Sequence, residues 1–160
     1  MTEYFFEKQL IKGKTLKDVV FDFKRKNKKI VFTNGCFDIL HVGHIRLLTA
    51  ARDLGAALIV GVNSDSSVKR LKGPTRPIFN QDERMELLLA LRCVNYTTIF
   101  NEDDPYNIIK YIEPDVLVKG GDWTIETTIG HDIVPKTVII PVEKGYSTTN
   151  IINKINKKRK

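Results

Sequence analysis

Two of the three histidines, His41 and His44, stand three residues apart in Thr33-Asn34-Gly35-Cys36-Phe37-Asp38-Ile39-Leu40-His41-Val42-Gly43-His44. That separation puts both rings on one side of a first helical turn. Gly43 lies between them and has no Cβ, so a bulky ligand can come close to the backbone. A helix start adds free N–H groups and partial positive charge, which suits a phosphate. Two imidazoles placed there can donate hydrogen bonds to phosphate oxygens as charge develops. Two other readings compete. A zinc site needs more ligands, and only His131, Cys36 and Cys93 remain to supply them. Alternatively, the histidines merely cap or pack.

Further polar clusters follow at intervals. Asn63-Ser64-Asp65 leads into Lys69, Arg70, Lys72 and Arg76, four cations within eight residues with Gly73-Pro74 among them. This run reads as a mobile basic flap in which Lys72 and Arg76 close over phosphates, while Lys69 and Arg70 are solvated. An ordinary exposed loop would have the same charges. Arg84 falls in the first turn of a helix, where the dipole disfavours a cation, so it has a role elsewhere or pairs with Asp82 or Glu83. Lys119-Gly120-Gly121-Asp122-Trp123 holds paired glycines that let backbone approach a ligand. Trp123 either is buried or stacks on a base or sugar. Gly145-Tyr146-Ser147-Thr148-Thr149 offers hydroxyls and N–H groups at another helix start, for N-capping, for phosphate or for both. Neither cysteine looks chemical: Cys36 sits in the first loop and Cys93 closes a helix. Asp38 braces its loop by hydrogen bonds.

These clusters need a scaffold, and the hydropathy pattern supplies one. Apolar runs at 30–32 and 57–62 read as buried strands, and 96–100, 115–118 and 137–140 read as further strands. Amphipathic patterns over 16–27 (capped by Thr15), 42–54, from Asn80, over 106–112 and from about Thr148 read as helices. This alternation predicts an α/β fold: a doubly wound, Rossmann-like parallel sheet with helices on both faces. Such sheets bind ligands beyond the carboxyl ends of their strands, near the switch point. The loops beginning at Asn34, Asn63, Asn101, Lys119 and Pro141 are therefore the places to look, and most of the clusters lie there.

The chain has 160 residues, 42% apolar and 28% charged, which fits one globular domain over 1–160. Within it, 1–28 reads as an N-terminal extension and helix, 29–150 as the α/β core, and 151–160 as a C-terminal helix and basic tail. Disorder, collagen and disulfide scaffolds are excluded by composition. No apolar run approaches the roughly 18 residues of a membrane span. The start, MTEYFFEKQLIKGK, lacks the apolar region of a signal peptide. Two cysteines suit a reducing cytosol. The net charge of +7 is compatible with nucleic acid, an anionic membrane surface or a phosphorylated small molecule. Five of the cations fall in 153–160. A solvated basic surface explains the charge equally well.

The His41-Val42-Gly43-His44 segment resembles the HxGH signature of the nucleotidyltransferase superfamily, and the resemblance runs from Lys29 to Ile155. Residues 63–74, Arg76-Pro77, 118–123 and 145–149 resemble its heptose 1-phosphate adenylyltransferase branch. The resemblance implies transfer of AMP from ATP to D-glycero-β-D-manno-heptose 1-phosphate, with pyrophosphate leaving. It implies catalytic roles for His41, His44, Lys72 and Arg76. Thr33, Asn34, Gly35, Cys36, Phe37, Gly43, Asn63, Lys119, Gly120, Asp122, Ser147, Thr148 and Thr149 would contact the nucleotide. Arg84 and Asp65 would line the acceptor phosphate. Mg2+ would arrive with ATP, and no protein metal site, DNA or membrane partner is implied. It further implies a bacterial cytoplasm, a separate sugar kinase upstream or a fragment of a longer chain, and a possible homodimer. A glycerol-3-phosphate-type cytidylyltransferase using CTP shares several of these blocks. A flavin adenylyltransferase is a more distant option. A non-catalytic nucleotide- or RNA-binding module on the same fold is the reading from another class. His131 and Pro135-Lys136 depart from the branch pattern and put details of the loop after Trp123 in question.

Overall fold

Five short strands form a sheet whose central apolar side chains are buried on both faces. In the computed structural model, residues 15–141 and 145–158 are described. The strands are β1 (Ile30–Gly35), β2 (Ala57–Asn63), β3 (Tyr96–Phe100), β4 (Val116–Gly120) and β5 (Lys136–Ile140). All pair in parallel, in the order β3-β2-β1-β4-β5. The helices are α1 (Leu16–Arg25), α2 (Val42–Arg52), α3 (Asp65–Lys72), α4 (Gln81–Leu89), α5 (Tyr106–Ile112) and α6 (Thr148–Lys157), with a 3-10 turn at His131–Ile133. The doubly wound sheet expected from the sequence is present.

Two cores flank the sheet. Leu47, Leu48 and Ala51 of α2 and Met85 and Leu88 of α4 pack on one face, with Val31, Leu58, Val60 and Val118. Leu16, Val19 and Val20 of α1 and Ile108, Ile109 and Ile112 of α5 pack on the other, with Ile30, Phe32 and Ile59. So α1, grouped in the sequence with an N-terminal extension, belongs to the same body as the strands. The extension as far as Lys14 and the tail residues Arg159 and Lys160 lie outside the described residues.

The helix starts follow capping chemistry. Thr15 accepts from the Asp18 amide while the Asp18 carboxylate accepts from Thr15, a reciprocal capping box. Asn80 and Glu83 repeat it at α4. Several boundaries differ from the sequence reading. α1 stops at Arg25 and α2 at Arg52, each two residues early. β4 begins at Val116 and runs on to Gly120, so Lys119 and Gly120 pair with Ile139 and Ile140 rather than opening a loop. Residues 65–72, expected within a flap, form α3. Ser64 caps it by accepting from the Ser67 amide. Asp65 stands at its positive end and Lys69, Arg70 and Lys72 at its negative end. Only 73–80 is irregular.

The order places the switch point between β1 and β4, whose outgoing connections run to opposite sides. Asn34 and Gly35 end one of these strands, and Lys119 and Gly120 end the other.

Candidate active site

At the start of α2, His41 is the N-cap residue. Its Nδ1 accepts from the His44 amide at 3.4 Å, and its carbonyl accepts from the same amide at 2.9 Å. An accepting Nδ1 leaves the His41 proton on Nε2. The two imidazoles stack with centroids 3.7 Å apart and planes 19° from parallel. Phe37 packs on the far side of His44, centroid to centroid 5.1 Å. Burial, then the neighbouring His41, pushes the His44 pKa down to about 4. Burial also lowers that of His41. Both rings are therefore neutral near pH 7 and each presents one N–H. The Nδ1 of His44 is buried without a hydrogen-bond partner.

Gly43 matters for close approach. A Cβ there would lie 3.1 Å from His41 Nδ1 and 3.2 Å from Tyr146 Cβ. The segment at 145–149 is thus pressed onto the start of α2. Thr148 Oγ1 donates to the Ile39 carbonyl at 3.3 Å, Ser147 caps α6 by accepting from Asn150, and Arg46 lies 5.6 Å from the Tyr146 ring centre. The sequence reading missed Tyr146 and Arg46, since nothing local ties an aromatic at 146 to an arginine a hundred residues earlier.

From the other side of the switch point, Lys119 Nζ donates to Asn34 Oδ1 at 3.3 Å and sits 5.3 Å from the Trp123 ring centre. Burial lowers the Lys119 pKa. Trp123 is 46% exposed, which removes the buried role considered for it and leaves its ring open to a ligand. Asp122 and Thr149 are exposed. His131 is exposed too, as a surface residue should be, with Nδ1 near the Thr128 carbonyl.

The basic groups converge on Cys36. Burial raises its thiol pKa, while Lys72, Arg84 and Arg76 each pull it down and Asp38 raises it. The thiol stays protonated, in keeping with an inert cysteine. Cys93 is half-buried and lies beyond the end of α4 rather than closing it.

Several expected site residues turn out to be internal braces. Arg84 is wholly buried, not exposed, and does not pair with Asp82 or Glu83. Its Nε donates to the Phe79 carbonyl at 3.1 Å, Nη1 to the Cys36 carbonyl at 2.6 Å and Nη2 to Asp65 Oδ1 at 2.8 Å. Arg84 and Asp65, expected at an acceptor phosphate, thus engage each other, and Arg84 ties three loops together. Asn63 is buried and donates to Ser67 Oγ at 3.0 Å, so it supports the start of α3 instead of lining open space. Thr33 is buried in β1 with its hydroxyl unpartnered. Arg70, read as solvated, is exposed and pairs at the surface with Asp103 at 2.8 Å. Asp38, 1% exposed, accepts from the Ile78 and Phe79 amides at 2.7 and 3.2 Å and from Arg76 Nε. Residues 76–79 are therefore docked against the β1 loop rather than standing off as a flap. Lys72 remains exposed at the end of α3. Among the described residues no three His, Cys, Asp or Glu side chains cluster to hold a metal ion.

Similarity to known proteins extends over most of the chain. The bifunctional protein HldE of Syntrophotalea carbinolica is 49% identical over 145 residues, covering 88% of this chain and 30% of that protein. The HldE of Campylobacter jejuni is 47% identical over 154 residues, covering 96% and 33%. That of Aliarcobacter butzleri is 53% identical over 133 residues, covering 83% and 28%. The chain spans about a third of the length of these relatives. A crystal structure titled as the lipopolysaccharide core biosynthesis protein of Thermoplasma volcanium superposes with a TM-score of 0.63 at 28% identity, over 73% of this chain and 99% of that one. The cytidylyltransferase-like family model matches residues 32–154, from within β1 through the histidine pair to α6. With the paired imidazoles, the close-approach glycine and the basic groups gathered at one switch point inside that match, the chain belongs to the cytidylyltransferase-like family.

Proposed function

We propose that this domain transfers AMP from ATP to D-glycero-β-D-manno-heptose 1-phosphate. A phosphate oxygen of the sugar attacks the α-phosphorus in line, a new P–O bond forms, and the bond to the β-phosphate breaks with its electron pair leaving on pyrophosphate. The observation that carries nucleotidyl transfer is the stacked, neutral His41–His44 pair at the α2 N-terminus, facing the strand switch point. The heptose acceptor is supported by the resemblance of the 63–77, 118–123 and 145–149 blocks and by HldE relatives across 83–96% of the chain.

The acceptor phosphate is already anionic, so no general base is needed. The protein must align two repelling anions and stabilise added charge. His41 and His44 donate N–H groups to the α- and β-phosphates. Lys72 and Arg76 neutralise the remaining charge. Lys119 and the Gly120-Gly121-Asp122 turn border the ribose and base, with Trp123 open for stacking. Asn34, Gly35, Cys36, Phe37 and Gly43 form the floor under the phosphates, and Ser147, Thr148 and Thr149 close the opposite side. Arg84 and Asp65 serve the acceptor phosphate by holding the Cys36 carbonyl and the α3 start in place. Mg2+ arrives with ATP as part of the substrate. A sugar kinase reaction supplies the acceptor, and the setting is a bacterial cytoplasm.

The test is pyrophosphate release, crossing ATP and CTP against heptose 1-phosphate and glycerol 3-phosphate. Release with ATP and heptose 1-phosphate alone is expected. Release with CTP and glycerol 3-phosphate alone overturns the substrate assignment. His44→Ala should lower turnover by roughly 10²–10³-fold, as for loss of one preorganised donor. A folded variant with near wild-type turnover would remove His44 from the mechanism.

A further inference from the structure

Asp38 divides its two oxygens between two tasks. Oδ1 accepts both the Ile78 and the Phe79 amides, and Oδ2 accepts Arg76 Nε. Arg84 grips the same segment from the other side, through the Phe79 carbonyl. The segment is therefore fixed by its backbone, and Arg76 is fixed to it by one edge of its guanidinium. Its side chain is 15% exposed against 1% for Asp38. Among the described residues the Arg76 side chain has no second hydrogen-bond partner, so both Nη groups remain available to an anion.

We propose that Asp38 is a positioning residue that acts through Arg76, holding its guanidinium by Nε so that its Nη groups meet the triphosphate already oriented. This rests on the triphosphate-binding reading above. A long cationic side chain ordered in advance loses less freedom on binding than one recruited from solution. The buried carboxylate also makes a contrary expectation possible. If Asp38 were only a competing counter-charge, removing it would strengthen binding of a polyanion. The two accounts predict opposite signs.

Asp38→Asn separates them. The amide oxygen can keep both backbone N–H groups, while its NH2 faces a donor and releases Arg76. Calorimetry with inorganic tripolyphosphate should show binding weakened by about 3–10-fold, the scale of ordering one long side chain, in protein that is still folded at the assay temperature. Arg76→Lys keeps the charge, cannot be held through Nε, and should show the same loss. The double variant should be no worse than either single one, because both break the same link. Tighter or unchanged binding in Asp38→Asn, or losses that multiply in the double variant, overturns the proposal. If Asp38→Asn does not fold, Arg76→Lys decides alone, and wild-type affinity there overturns it. A wild-type protein that does not bind tripolyphosphate also overturns it. A wild-type protein that binds but transfers no nucleotide to heptose 1-phosphate defeats the function reading and leaves this one standing.

Discussion

His44 holds its imidazole buried against the stacked His41 ring, and the same burial that readies it for phosphate makes the ligand-free protein acid-sensitive. Its folded pKa of about 4 lies below the unfolded value of 6.5. Between these values the unfolded chain binds more protons, so stability falls as pH drops through 6.5 and the loss is complete near pH 4. The shift corresponds to at most about 3 kcal/mol. Urea midpoints measured from pH 7 to 4 should fall less steeply for His44→Gln than for the wild type. The histidine pair was legible in the sequence because its geometry is local: a cap residue and the third residue of the helix it caps bring both rings together. Arg84 was not. Its partners lie 5, 19 and 48 residues away, and only the folded chain shows a buried arginine where the local pattern allowed an exposed one. Asn63 and Asp65 show the same ambiguity, since a polar residue after a strand can serve the ligand, the next helix or both.

Among the elements, strands were easier to read than the helix that follows β2. β1 opens on a continuous apolar run and β2 is one up to Val62, and a run covered on both faces has few alternatives. α3 buries Val68 as its only large apolar side chain, and its other inward residue is Ser67. Charges dominate its sequence, so its helical period was masked. The contact between β1 and β2 also explains a glycine that attracted no notice. Gly61 is paired with Asn34, and a Cβ there would lie 2.6 Å from Phe32 Cζ and 3.4 Å from Asn34 Cβ. Phe32 is fully buried and has little room to yield. Gly61→Ala should therefore destabilise the fold by about 1–3 kcal/mol, the usual scale of overpacking, readable as a lower denaturant midpoint. It should also disturb the Asn34–Lys119 contact that bridges the switch point.

At the scale of the molecule, the parallel order gathers almost every chemistry-bearing residue at one edge of the sheet. On the proposed function, a ligand lying across the carboxyl ends of the strands would touch loops from β1, β2, β4 and β5 together. If the proposed function holds, ATP with its divalent metal at 100 times its Kd would contribute about 2.7 kcal/mol to stability and raise the melting temperature by roughly 5–10 °C for a domain of this size. An RNA-binding module would instead be recognised by retention of RNA that declines steeply with salt. No helix among the described residues is long and apolar enough to cross a membrane. The stacked imidazoles have one more consequence. A polyanion settling beside two uncharged rings favours their protonated forms, so binding below neutral pH draws hydrogen ions from the medium. Apparent binding heats should then differ between buffers of unlike ionisation enthalpy, and the difference counts the protons taken up.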